Sequence, residues 1–292
     1  MVGTGRPVAS TSAPGAPAAE AGAAVDEYTE GVPTPAAPGQ GRRPHGEADA
    51  VRIAIDGPAA SGKSAVGARV ATALGLPFID TGAMYRAITW LALRRGVPIG
   101  DPAALTALAR SASVSVAAPP PGSQETAAIR VDSLDAGPHL RDPDVERAVS
   151  IVSAVPAVRE VMVQLQRQAA SGQVVMAGRD IGTVVLPDAD LKVYLDASPE
   201  VRARRRVLEL ARKGTPTDYE AVLADLLRRD ELDSTRAVAP LRPADDAVVI
   251  HTDPLSVEEV VARVLALVRE RETAPTRADL SSAPAKRDEG AR

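Results

Sequence analysis

VRIAIDGPAASGKS, residues Val51–Ser64, decides the reading of this chain. Gly57, four residues, then Gly62, Lys63 and Ser64 match the phosphate-binding loop pattern G-x-x-x-x-G-K-[ST]. The pattern alone can arise by accident, so its flanks matter. A β-branched run, Val51–Ile55, precedes it, and an apolar-periodic segment, Ala65–Leu74, follows. In a strand–loop–helix setting the backbone N–H groups of Gly57, Pro58's neighbours Ala59 and Ala60, Ser61 and Gly62 can wrap a phosphate at the positive end of a helix dipole. Lys63 adds a point charge for the outer phosphates, and the Ser64 hydroxyl suits Mg²⁺. This stretch implies a nucleoside triphosphate site.

The ends of the chain differ from its middle. Residues 1–50 are mostly Ala, Pro, Gly and small polar residues without apolar periodicity, a composition expected to stay disordered. They lack the basic start and apolar core of a signal peptide, and are expected to be a dispensable extension or a mis-assigned start. Residues 272–292 read as a second disordered tail, leaving 51–271 as the folded part. No run of eighteen apolar residues occurs, so no membrane span is expected. The absence of cysteine excludes disulfides, thiolate metal sites and cysteine catalysis, and a cytoplasmic location is expected. A net charge of −4 and an aromatic content of 2% argue against a nucleic-acid partner. His45, His139 and His251 are scattered and suggest no metal cluster. No candidate interface stands out, so a monomer is expected.

Five apolar segments read as buried parallel strands: Val51–Ile55, Leu76–Ile79, Val174–Ala177, Leu191–Leu195 and Ala247–Ile250. Helical patterns cover Lys63–Leu74, Gly82–Arg95, Pro102–Ser111, Asp142–Ser171, Pro199–Lys213, Asp218–Thr235 and Ser256–Arg271. Ser198 and Thr217 stand at cap positions, and Ser256 with Glu259 forms an S-x-x-E capping box. The order implies an α/β fold, a doubly wound five-stranded parallel sheet. A Pro/Gly hinge at Pro119–Gly122 and short pieces at Val114–Val116, Ala128–Val131 and Ser133–Asp135 suggest a three-stranded β insertion projecting beside the cleft. An irregular loop is the alternative.

Four further segments carry chemistry. Asp80–Arg86, reading DTGAMYR, puts Thr81, Tyr85 and Arg86 at a strand end, where open α/β sheets bind ligands. An arginine fork there suits a second phosphate. Arg179 and Asp180 stand between glycines after the third strand, as a cleft feature or as an internal salt bridge holding the turn. Arg202, Arg205 and Arg206 share a helix face, whereas Arg204 lies elsewhere; that face is a lid over the transferring phosphate or a solvated basic surface. Arg229, Asp233 and Arg236 recur at i, i+4, i+7, to grip a sugar and a phosphate or to form an intrahelical ladder.

Taken together, the segments IDGPAASGKS, DTGAMYR, AVPAVRE, GRDIGTVVLPDADLKVYLDAS and RDELDSTRAVAPL closely resemble bacterial cytidylate kinases, P-loop nucleoside monophosphate kinases, over Val51–Arg271. The resemblance implies an ATP:CMP phosphotransferase acting with Mg²⁺, with dCMP as a further acceptor. It implies that Gly57–Ser64 holds the ATP phosphates, and that Arg86, Arg179 and Arg236 hold the phosphate of CMP. Ser150, Arg159 and Asp180 would recognise cytosine, Arg229 and Asp233 the ribose, and Thr81 and Tyr85 would line the acceptor site. Arg202, Arg205 and Arg206 would belong to a helical lid at about 200–217, and the acceptor-binding region with its insertion would span about 82–171.

The chemistry agrees with these roles. An acceptor phosphate is its own nucleophile, largely dianionic at neutral pH with a second pKa of about 6, so no general base is required. Two anionic phosphates must instead be brought in line and their charge neutralised. An acid facing cytosine N4 and an arginine facing its acceptors would match that base, whereas uracil would set O4 against the Asp180 carboxylate. Ala60 stands where the family has glycine; if that position needs φ > 0, strain of about 1 kcal/mol is expected. Ala65 stands where a hydroxyl residue commonly follows the loop, so weaker ATP binding is expected. Alternatives are a kinase for UMP, AMP or another small acceptor, or a regulatory nucleotide-binding protein. No N-K-x-D motif favours the last.

Overall fold

The computed structural model describes residues 51–117 and 128–273. The expectations for 1–50, for the Pro119–Gly122 hinge and for the tail past Thr273 fall outside the described residues. The strands are β1 (Arg52–Asp56), β2 (Phe78–Asp80), β3 (Val114–Ala117), β4 (Ala128–Val131), β5 (Leu134–Asp135), β6 (Val174–Gly178), β7 (Leu191–Asp196) and β8 (Val248–His251). The α-helices are α1 (Lys63–Leu74), α2 (Thr81–Arg94), α3 (Pro102–Ser111), α4 (Pro143–Ala154), α5 (Pro156–Ala169), α6 (Pro199–Arg212), α7 (Tyr219–Thr235) and α8 (Val257–Thr273).

Five strands pair in parallel in the order β2-β6-β1-β7-β8. β1 is wholly buried between β6 and β7, with Ile53 opposite Val175 on one side and Leu191 on the other. Its side chains divide between two apolar layers. Ile53 and Ile55 pack with Val66 and Val70 of α1 and Val260 and Val264 of α8. Ala54 faces the other way, toward Met84 and Ile88 of α2 and Met162 of α5. Gly67 lets α1 lie close to the sheet, since a Cβ there would come within 2.5 Å of the Phe78 ring. From β1 the chain runs past β6 to β2, and from β6 it runs the other way past β1 to β7, so a crevice opens beyond the carboxyl ends of β1 and β6.

The helix expected over Asp142–Ser171 is two helices, α4 and α5, bent by 97°. Pro156 lacks an N–H and disfavours helical geometry for its predecessor; Val155 accordingly sits at φ −69, ψ 115. The bend brings Ser150 and Arg159 to one cleft. One of the expected caps differs. Ser198 Oγ accepts from Val201 N at 3.4 Å, as expected, but α7 is capped by Asp218, which accepts from Ala221 N at 3.0 Å, and not by Thr217. Ser256 and Glu259 form the reciprocal box at the start of α8.

The insertion is a three-stranded antiparallel sheet, β3-β4-β5. Asp132 and Ser133, at φ 48 and φ 64, make the two-residue turn between β4 and β5, so Ser133 belongs to the turn and not to a strand. Ile129 and Val131 bury into the layer around α2. None of its described residues lines the cleft; the insertion packs against α2 and α5. Among the described residues no single helix is long and apolar enough to cross a membrane.

Candidate active site

A cleft of about 610 Å³ opens where β1, β2 and β6 end, floored by the loop before α1 and walled by α2, α4, α6 and α7. The loop geometry follows from its residues. Gly57 has φ 149, and a Cβ there would come within 2.3 Å of the Leu195 carbonyl oxygen. Gly62, at φ 97, turns the chain into α1. Ala60 lies between them at φ 59, the left-handed region in which an L-residue is strained.

Lys63 is buried and folds back over the loop, its Nζ donating to the Pro58 carbonyl at 2.6 Å and to Ser61 Oγ at 3.3 Å. Burial and the Arg179 charge lower its pKa, opposed by Asp80, Asp56 and Asp233. Ser64 Oγ donates to Asp80 Oδ2 at 2.6 Å, and Asp80 Oδ1 caps α2 by accepting from Ala83 N at 3.3 Å. Ala65 is exposed and lines the cleft.

At the end of β2, Thr81 Oγ1 donates to the Ala177 carbonyl at 2.9 Å, and the Tyr85 ring lies 5.5 Å below the Arg159 guanidinium. Burial pushes the Tyr85 hydroxyl up to about 12. Arg159 is 2% exposed; it donates to Asp180 Oδ2 at 2.6 Å and to the Ser153 carbonyl at 3.2 Å. Arg236 Nη2 lies 3.7 Å from Asp180 Oδ1 and has no hydrogen-bond partner although buried. Ser150 lines the same end of the cleft.

Arg179 and Asp180 do not pair with each other. Arg179 Nε donates to Asp233 Oδ2 at 3.0 Å, while Asp180 belongs to Arg159. α7 ends at Thr235, so Arg236 lies just past the helix; its Nε is held by the Ala239 carbonyl at 2.6 Å. The ladder reading is partly realised, because Arg236 Nη1 pairs with Asp233 Oδ1 at 3.5 Å, but Arg229 and Asp233 also reach across to other elements.

Arg205 and Arg206 line the cleft and Arg202 does not. Arg205 donates to Thr252 Oγ1 at 3.0 Å and to the Thr252 carbonyl at 2.6 Å, and Arg206 pairs with Glu209 at 2.8 Å. Arg202, 2% exposed, lies behind the loop; it grips the Ala59 carbonyl at 3.1 Å, the Ala197 carbonyl at 3.0 Å and Asp230 with both terminal nitrogens. Its expected place in the lid is therefore corrected to a buried brace between loop, α6 and α7. Its pairing with Asp230, the residue after Arg229, turns it inward.

Sequence reasoning missed Glu146, its partner Arg141, and Asp56. Glu146 accepts from Arg86 Nε at 3.0 Å, Arg141 Nη1 at 2.9 Å and Arg229 Nη1 at 3.2 Å. No local signal marks it, since two of these partners are 60 and 83 positions away. Asp56 ends β1, and its carboxylate accepts from Ile181 N at 2.8 Å and Gly182 N at 2.7 Å. It thereby clamps the π-helical turn Ile181–Val185, which begins immediately after Asp180. Burial raises the Asp56 carboxyl to about 6 despite those two hydrogen bonds. Its position, closing the strand just before Gly57, was the available clue.

Residues 53–270 match the family model described as cytidylate kinase. The cytidylate kinase of Rhodococcus opacus (strain B4) is 49% identical over 221 residues, 75% of this chain and 95% of that one. That of Geobacillus kaustophilus (strain HTA426) is 50% identical over 222 residues, 76% of this chain and 97% of that one.

Proposed function

This chain belongs to the cytidylate kinase family, and from that premise we propose that it transfers the γ-phosphate of ATP to CMP, and to dCMP, giving ADP and the nucleoside diphosphate. One observation carries the assignment of the base: a buried carboxylate, Asp180, stands at the acceptor end of the cleft between Arg159 at 2.6 Å and Arg236 at 3.7 Å. A carboxylate there accepts from cytosine N4, and Arg159 with Ser150 serves the acceptors on the same edge. Uracil would bring O4 against Asp180, two acceptors facing each other in a dry site.

Gly57–Ser64 takes the ATP phosphates, with Lys63 released from the Pro58 carbonyl toward them. Arg86, Arg179 and Arg236 hold the acceptor phosphate, and the unpartnered Arg236 Nη2 supports that role. Arg229 and Asp233 contact the ribose, and Thr81 and Tyr85 line the acceptor pocket. Arg205 and Arg206 belong to a lid at about 200–217, and 82–171 forms the acceptor-binding region. The Ser64 hydroxyl and the Asp80 carboxylate, 2.6 Å apart at the loop, are the hard oxygen donors that Mg²⁺ prefers. Bound there through the ATP phosphates, Mg²⁺ would supply neutralisation of developing charge.

The residues then need only position and shield. The acceptor phosphate is nucleophilic without a base, and the arginines screen its repulsion from ATP while holding it in line. A monomer and a cytoplasmic location belong to the same proposal. The test is coupled ADP release with ATP and a panel of CMP, dCMP, UMP, AMP, GMP and shikimate. CMP should dominate. Preference for a purine monophosphate would overturn the base assignment, and equal turnover without acceptor would make the protein an NTPase.

A further inference from the structure

Glu146 stands on the first turn of α4 with its side chain 13% exposed, and its two carboxylate oxygens are divided among three guanidinium groups. Oε1 accepts from Arg86 Nε at 3.0 Å and from Arg141 Nη1 at 2.9 Å. Oε2 accepts from Arg229 Nη1 at 3.2 Å and Nη2 at 3.3 Å, while Arg229 Nη2 also holds the Glu146 carbonyl at 2.6 Å. The arginines come from α2, from the segment before α4 and from α7, so the contact is assembled by the fold. All four side chains line the cleft. A compact anion gripped from several sides by guanidinium groups is also how a phosphate monoester is bound.

We propose that Glu146 is a built-in stand-in for the acceptor phosphate on Arg86: it holds that arginine together with Arg141 and the ribose-side Arg229, and must yield Arg86, in whole or in part, when a phosphate monoester enters. The proposal rests on the reading of Arg86 as a phosphate-binding residue. Burial alone would raise the Glu146 carboxyl, but Arg86, Arg141 and Arg229 outweigh it and hold it well below the usual carboxylate range, so it competes as an anion at neutral pH. A nucleotide offsets the displacement with contacts from its base and ribose. Inorganic phosphate has none to offer. Glu146 therefore discriminates against free phosphate, which would otherwise occupy the arginines.

The test uses the full chain, with Glu146→Gln and Glu146→Ala. Inorganic phosphate binding is measured by calorimetry and as competitive inhibition against CMP, and melting with and without phosphate verifies folding. Phosphate should bind roughly tenfold tighter to the Gln variant, because a charge-assisted competitor has been removed. The Michaelis constant for CMP should fall, that for ATP should stay, and added phosphate should raise the melting temperature more in both variants than in the parent. Adding Arg86→Ala to the Gln variant should abolish the gain. Unchanged or weaker phosphate binding, with a raised constant for CMP, would overturn the proposal and leave Glu146 as a prop for the arginines. If the gain depends on Arg86 but Arg86→Ala alone leaves CMP kinetics unchanged, the stand-in survives and the assignment of Arg86 to the acceptor phosphate fails.

Discussion

Asp180 accepts a hydrogen bond from Arg159 at 2.6 Å, with side chains only 6% and 2% exposed, one on the turn after β6 and the other on α5. Neither charge could sit there alone, so each is the condition for burying the other. The pair presents a fixed acceptor and a fixed donor side by side, and the Tyr85 ring beneath Arg159 limits how far the guanidinium can move.

Asp180→Asn keeps the shape and removes the charge, and it should cut the preference for CMP over UMP more than it cuts ATP affinity. A well-aligned contact to a base edge is worth about 1–3 kcal/mol of discrimination, so the ratio of kcat/KM values should fall by roughly 5- to 150-fold. Competing CMP and UMP assays give the ratio directly. Undiminished preference would mean that the base is read elsewhere.

Ala60, at φ 59, makes the loop strain testable. Ala60→Gly should raise stability by up to about 1 kcal/mol, because relief of left-handed strain exceeds the entropy that glycine adds to the unfolded chain. Ala60→Val should do the reverse, since a β-branched residue tolerates positive φ worst. Urea midpoints for the three proteins should rank Gly above Ala above Val. An ATP constant that improves in the Gly variant would show that the loop's strain also limits phosphate wrapping.

How much of this was legible follows from how local each cause is. α1 runs Lys63–Leu74 and α3 runs Pro102–Ser111, as their periodicity, caps and breakers imply. The insertion's strands were visible from their short alternating pieces, but the turn between β4 and β5 took Ser133 out of its expected strand. The break at Val155 also had a local cause in Pro156, but apolar residues at helical spacing on both sides hid it. Charge partners were the least legible. Arg179 with Asp233, Asp180 with Arg159 and Glu146 with Arg86 join residues 54, 21 and 60 positions apart, and spacing along one helix says nothing about them. Arg202 illustrates the consequence, since its neighbours on α6 line the cleft while Asp230 draws it into the interior.

Asp56 gives a pH dependence whose sign is fixed. Its folded carboxyl lies near 6, above its ordinary value of 3.8, so the folded state binds this proton more tightly than the unfolded chain. The stabilisation is complete below the ordinary value and is lost as pH rises through about 6. Glu146 works in the opposite sense, being stabilising above the ordinary carboxylate range and lost as pH falls. Comparison with Asp56→Asn isolates the first effect. The stability advantage of the parent over that variant should shrink by about 2–3 kcal/mol between pH 4 and pH 7. Urea unfolding at both pH values measures it. A constant difference would mean that Asp56 titrates normally.

Arg202 should separate scaffold from chemistry. Its guanidinium joins the Ala59 carbonyl, the Ala197 carbonyl and Asp230 in one buried knot, so removal leaves a carboxylate and two carbonyls without their donor. Arg202→Met, which keeps the aliphatic volume, should cost about 3–5 kcal/mol of stability. Arg206→Met removes a pairing only with Glu209 at the cleft margin, and should cost under about 1 kcal/mol. The kinetic order should be the reverse: at a temperature where both variants are folded, Arg206→Met should lower kcat more than Arg202→Met does. Thermal melts and initial rates on the same samples decide it. A larger kcat loss from Arg202, at full folding, would return that residue to the catalytic group, because displacement of the Ala59 carbonyl would then be felt directly in how the loop holds ATP.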